Sequence, residues 1–359
     1  MPPTIKPAGR PMLIGSQPLN DHAEAARLVL RYVPEIPNWV QLPVFKHEGM
    51  VTQFISGMPA IVHRGDRIWV DAAGEGFDEE MVRFFEAYLA VSEQTLPLEE
   101  SRFALKADTA EGFFTLLAAL DHKPDNLFAV KGQITGPITF CTSLTDQDRR
   151  PIFYNEALRD AAVKMLAFNA AWQVQRLRTA GVPVIVFIDE PALAGYGSSE
   201  LISISKEDIG NCLHEVVEAI HGQGGLAGVH VCANTDWSLL LGSSIDIVNF
   251  DAHGYFDRFI LYADAIKAFL QSGGCLAWGM VPTALAEQVE AATLDGLWAQ
   301  WQSHMKRLGI LGLDPATVQR QSFITPSCGT GSLPPELSQK VLTLTQALSL
   351  KVRRSINEK

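Results

Sequence analysis

Short apolar runs, nearly unbroken and separated by longer amphipathic segments, constrain this chain most. Strand-like runs occur at MLIGS (12–16), WVQLPV (39–44), LFAVKGQ (127–133), VIVFID (184–189), LAGVHV (226–231), IDIVNFD (245–251), CLAWGM (275–280) and SFITP (322–326). A strand that is apolar on both faces is covered on both faces, as in a parallel sheet flanked by helices. Helical patterns fill the intervals at 21–33, 155–181, 206–222, 255–272, 286–308 and 334–354. The first follows Asn20, a residue type that caps helix starts, and the second stops at Gly181 just before Pro183, a usual helix ending. Strand and helix alternating about eight times predict a (β/α)8 TIM barrel. All 359 residues are then expected in one domain, although length alone would allow two.

One interval breaks the rhythm. Residues 45–126 hold a hairpin pattern, AIVHRGDRIWVDA, with Arg64-Gly65-Asp66-Arg67 at its turn, then helical patterns near 77–92 and 109–121. We read this as an insertion between the second and third strands, over one mouth of the barrel. The final KVRRSINEK is expected to fray.

Composition removes several function classes. A net charge of −11 argues against nucleic-acid binding, which needs a basic face. No run is long and apolar enough for a signal peptide or a membrane span, so a cytoplasmic protein without membrane partners is expected. The five cysteines, Cys141, Cys212, Cys232, Cys275 and Cys328, are odd in number and widely spaced, which fits free thiols in a reducing compartment.

In such barrels chemistry sits where the strands end. Those ends carry Ser16, Gln41, Gln133, Asp189-Glu190, His230, Cys232, Asp251, Trp278-Gly279 and Cys328. His230 and Cys232 are two apart, so in extended chain both face the same side. Cys328 arrives from the eighth run in TPSCGTG, and Asp251 ends the sixth. Together they make a nitrogen, sulfur and oxygen set suited to Zn²⁺. Spacing alone leaves a second reading open, in which His230 hydrogen-bonds a loop and the cysteines pack as small hydrophobes. DEPAL (189–193) is either a helix start or a contact for a substrate amine. TGPIT (135–139) is a close backbone approach to a ligand or a plain turn. IGSQP (14–18) offers Ser16 and backbone N–H groups for a carboxylate, or is a simple connection.

Taken in order, IGSQP, QITGPIT, IDEPAL, HVC, IDIVNFD and TPSCG resemble the catalytic domain of cobalamin-independent methionine synthase, from Ile14 to about Leu348. That family belongs with zinc methyltransferases sharing a barrel with uroporphyrinogen decarboxylase. The resemblance implies zinc held by His230, Cys232 and Cys328, with Asp251 where the family has a glutamate ligand. It implies that Asp189 holds the amino group of homocysteine, helped by an acidic residue for which Glu48 stands nearest. It places Ile14, Gly15 and Ser16 in the segment that holds the carboxylate.

The sequence departs from the family twice. The segment LAWGMVPT lacks the histidine that donates a proton after the seventh strand, and the family's additional N-terminal half is not present in these 359 residues. A zinc-bound thiol is deprotonated, whereas a free one has a pKa near ~8.5. Such a thiolate can attack a methyl group directly. Departure of the methyl from 5-methyltetrahydrofolate needs a proton; departure from a methylcorrinoid does not. The expected donor is therefore a methylcorrinoid, protein-bound or free, and the expected acceptor is homocysteine or another small thiol. Three alternatives stay open: a methylcobamide:coenzyme M-type enzyme, a uroporphyrinogen decarboxylase-like lyase and a non-catalytic zinc- or corrinoid-binding module.

Overall fold

The structure, a computed structural model, describes residues 5–196 and 203–357. Strands β1 (Ile61–Arg64) and β2 (Arg67–Val70) form the antiparallel hairpin expected around Gly65. Strands β3 (Val130–Thr135), β4 (Val184–Asp189), β5 (Leu226–Val231), β6 (Ile247–Phe250), β7 (Cys275–Val281) and β8 (Ser322–Pro326) form one parallel sheet in chain order. Nearly all their residues are buried, as the continuous apolar runs required.

Side-chain alternation shows how this sheet is curled. In β4, Ile185 and Phe187 belong to an inner cluster with Met12, Ala129, Leu226, Ile247, Ala277 and Phe323. Val184, Val186 and Ile188 of the same strand belong to the large outer cluster under the helices. One set of alternate residues from all six strands thus meets inside the curl, and the other set meets the helical layer.

The regular sheet has six strands, two fewer than expected. Segments 12–16 and 39–44 form no ladder. They make isolated parallel bridges instead: Pro11 to Ile324, Ser16 to Gln41 and Asn38 to Lys131. Pro11, Pro37 and Pro43 lack the N–H that a continuous ladder needs. These bridges nevertheless link β8 to the first N-terminal segment, the first segment to the second, and the second to β3.

Several boundaries also move. The first helix, His22–Tyr32, is capped by Asp21 and not Asn20; the Asp21 carboxylate accepts the Glu24 amide at 3.0 Å. The expected helix 255–272 is two helices, Ala252–Phe259 and Ala263–Gln271, joined by a single tight turn. The expected helix 286–308 is likewise split, into Ala286–Ala291 and Leu294–Ile310, where Thr293 caps the second piece. The C-terminal helix runs Pro335–Asn357, so residues 351–357 are helical where fraying was expected; residues 358–359 lie outside the described residues. Among the described residues no helix is long and apolar enough to cross a membrane.

Candidate metal centre

Inward parity decides which strand-end side chains share a space. Counting on from the inner-cluster residues, Lys131, Gln133, Asp189, His230, Asn249 and Thr325 all face into the curl. Parallel register sets Asp189 beside His230, and His230 beside Asn249.

His230 is 3% exposed, and one of its nitrogens is spoken for. Asn249 donates its Nδ2 to the Ala277 carbonyl at 2.8 Å and to Thr325 Oγ1 at 2.9 Å, which turns its Oδ1 toward His230 Nδ1. The Nδ1 proton is therefore donated to Oδ1, which leaves Nε2 as the nitrogen free to take a ligand. That Nε2 is buried and has no hydrogen-bond partner among the described residues. A buried, unpartnered acceptor is costly unless something binds it.

Two sulfurs share the space. Ligand atoms of His230, Cys232 and Cys328 all lie within 4.8 Å of one another. Cys232 is placed by β5, one residue past its end. Cys328 is placed by the turn after β8, which is pinned from three sides. Ser327 donates its amide to the Val281 carbonyl at 2.8 Å, and its Oγ accepts the Thr283 amide at 3.1 Å. The Thr330 amide donates to the Ser16 carbonyl at 2.9 Å. Gly329 is required there, because a Cβ would lie 2.2 Å from Ser16 Oγ. The Cys328 thiol against it and the neighbouring His230 hold Cys232 far below the ordinary thiol range, at about 4. The same contact and burial push Cys328 up. Burial alone would lower His230, but Cys232, Asp189 and Asn249 together raise it. One imidazole nitrogen and two sulfurs, one of them readily ionised, are a donor set that fits Zn²⁺.

Asp189 is 9% exposed, and its Oδ1 is also without a partner among the described residues. Burial raises its pKa against the pull of His230 and Lys131. Lys131 is fully buried, donates to the Ile14 carbonyl and to Gln133 Oε1 (3.2 Å), and lies 4.6 Å from the Phe187 ring centre. Burial pulls its pKa down to about 8, with Asp189 resisting. Glu190 faces the other way. Its carboxylate accepts the Ile138 and Thr139 amides, both at 2.8 Å, and the Thr139 hydroxyl at 2.6 Å. DEPAL thus contains one carboxylate facing the site and one plugging the TGPIT turn.

Other expected residues lie elsewhere or are already engaged. Asp251 stands outside the three-residue cluster and caps the helix Ala252–Phe259, its Oδ1 accepting the Gly254 amide at 2.8 Å. Glu48 is buried with both oxygens occupied, by His22 Nε2 and by the Leu42 amide, each at 2.7 Å. Ile14, Gly15 and Ser16 line a narrow cleft with Cys328 and Gly329, so the segment is adjacent to one sulfur. Its Ser16 carbonyl and hydroxyl, however, bind the 328–331 turn. Cys141, Cys212 and Cys275 are buried free thiols, raised by burial. Sequence reasoning passed over Lys131 and Asn249. Counting alternate residues back from Gln133 and Asp251 would have found both on the inward face.

No family model matches the chain, and no curated protein matches it. Solved structures do. A B12-independent methionine synthase from Shewanella sp. W3-18-1, in complex with selenomethionine, has 18% identity and a TM-score of 0.50, covering 94% of this chain and 89% of that one. A Listeria monocytogenes structural-genomics target, assigned as a vitamin-B12-independent methionine synthase, has 12% identity and a TM-score of 0.53, covering 97% and 98%. At these identities the likeness is one of fold.

Proposed function

We propose that this chain is a zinc-dependent methyltransferase of the methionine synthase type, acting on homocysteine. We further propose that it works as a single barrel domain with 45–126 as an insertion. The observation that carries the reading is a ligand nitrogen of His230 within 4.8 Å of two cysteine sulfurs, with the buried Nε2 of the same ring unpartnered. His230, Cys232 and Cys328 would hold the metal. Zinc bound there would act as a Lewis acid that lowers a thiol's pKa and leaves its sulfur nucleophilic.

The chain's own residues would do the rest. Asp189, with a bare oxygen on the same face as His230, would receive the ammonium group of the amino acid. Lys131 favours the charged form of Asp189 and ties down the Ile14 carbonyl, fixing the segment 14–16 beside Cys328. Residues Ile14, Gly15 and Ser16 would orient the carboxylate end. Asp251 caps a helix through Oδ1 and stands outside the three-residue cluster, so we assign it no resident ligand role. Glu48 is assigned to holding the segment 42–48 and not to the amine. An acidic residue at position 189 suits an amino-acid thiol and disfavours a sulfonate such as coenzyme M. The selenomethionine in the Shewanella structure likewise makes an amino-acid acceptor the one to test.

For the donor we propose a methylcorrinoid, because β7 and the Pro282-Thr283 that follow it provide no histidine to protonate a folate amine. A second reading, 5-methyltetrahydrofolate, is favoured by the names of both fold neighbours, which are called B12-independent. Metal analysis of the purified protein should find about one zinc per chain, lost in Cys328→Ser. Methyl transfer to homocysteine is then assayed with methylcobalamin and with 5-methyltetrahydrofolate. Activity with the folate alone rejects the corrinoid; a metal-free, inactive protein under zinc-replete conditions rejects the whole reading.

A further inference from the structure

We infer that Asn249 is a positioning residue for the metal, selecting which nitrogen of His230 binds it. The inference rests on the zinc reading above. Asn249 faces inward from β6 and sits in register with His230 on one side and Ala277 on the other. Its two donor hydrogens have fixed destinations, the Ala277 carbonyl on β7 at 2.8 Å and Thr325 Oγ1 on β8 at 2.9 Å. A flipped amide would set its oxygen against the Ala277 carbonyl, two acceptors with no proton between them, whereas the Thr325 hydroxyl could serve either orientation. Oδ1 is therefore held toward His230 Nδ1 by the Ala277 carbonyl of β7, a strand other than its own. An acceptor there keeps the proton on Nδ1 and leaves Nε2, buried and without a partner among the described residues, as the nitrogen open to a metal. Residue 249 is fully buried, so bulk water does not reach the amide in the native chain.

The arrangement explains why the chain keeps a polar amide in the middle of IDIVNFD, where neighbouring strand residues are apolar. It also gives Thr325 a part: its hydroxyl accepts the amide's second hydrogen.

The first test uses the unaltered chain, loaded with zinc and carrying ¹⁵N-labelled histidine. Long-range ¹H–¹⁵N spectra, with His230 assigned by difference against His230→Gln, should show a protonated Nδ1 and a metal-bound Nε2. A metal-bound Nδ1 overturns the inference. The second test measures zinc affinity by competition with a chromophoric chelator. Asn249→Ala should bind zinc roughly 10–100-fold more weakly, the usual effect of removing such a partner. Thr325→Val, which leaves the amide one acceptor, should fall between it and the unaltered chain. Unchanged affinity in Asn249→Ala overturns the inference while leaving the metal reading intact. An unaltered chain that binds no zinc in the same titration rejects the metal reading, and this inference falls with it.

Discussion

Replacing Glu190 tests the division of labour within DEPAL, because the carboxylate facing away from the site should matter to stability and not to metal binding. In the native chain it accepts three hydrogen bonds, from the Ile138 and Thr139 amides and the Thr139 hydroxyl. Gly136 lies so close that a Cβ there would come within 2.2 Å of the Glu190 carboxyl carbon, so the carboxylate fills the turn. Glu190→Ala leaves two backbone N–H groups and a hydroxyl facing a small void. At about 1–3 kcal/mol for each unsatisfied buried donor, with the hydroxyl free to turn away, the expected loss is about 3–5 kcal/mol. Glu190→Gln keeps one acceptor and the volume, and should lose about half as much. The acid also titrates. Burial, outweighing the hydrogen bonds, moves it from the ordinary 4.5 to about 7. The folded state then binds more protons than the unfolded chain between those values, so this group's contribution falls as pH rises through that window. The fall is on the order of 3 kcal/mol, since each pH unit crossed in the window removes about 1.4 kcal/mol. Urea denaturation at pH 5, 6 and 8 measures both effects, and the gap between native and Glu190→Gln should narrow as pH rises. A Glu190→Ala chain within about 1 kcal/mol of native, or one that retains its fold but loses zinc, would refute the assignment.

The site itself yields two further expectations. Asp189→Asn should raise KM for the amino-acid thiol by roughly 10–100-fold, the worth of one charge-assisted hydrogen bond, with zinc content unchanged. Loss of zinc instead would move Asp189 from the substrate to the metal. Gly329→Ala sets a Cβ against Ser16 Oγ at 2.2 Å and should cost about 1–3 kcal/mol of stability. Because the same turn carries Cys328, it should also weaken zinc binding, and equilibrium titration showing native affinity would mean the turn can move without its sulfur.

Much of the architecture was legible because it follows from local pattern. Six of the eight apolar runs became the parallel strands, within a few residues of their expected limits, since burial on both faces leaves a continuous apolar signature. The hairpin at Gly65 and the helices near 77–92 and 111–119 were readable from turn and amphipathic signals. The two N-terminal runs misled because their composition is strand-like while Pro11 and Pro37 beside them and Pro43 within the second remove ladder donors. Glu48 shows a different limit of the sequence. A glutamate near a strand end reads the same whether it awaits a substrate or is already bound to a buried histidine 26 residues earlier in the chain.

The sequence by itself determined which residues could face the same way: His230 with Cys232, and Asp189 with the other alternate positions of its strand, because extended backbone has a period of two. Only tertiary structure decided which of these meet. It brought Cys328 across 96 residues to Cys232, turned Glu190 away from Asp189, committed Asp251 to a helix end and aimed Asn249 at one nitrogen of one histidine. Each of those outcomes depends on register between strands and on competing hydrogen-bond partners brought in by other segments, and neither is encoded in the spacing along a single strand.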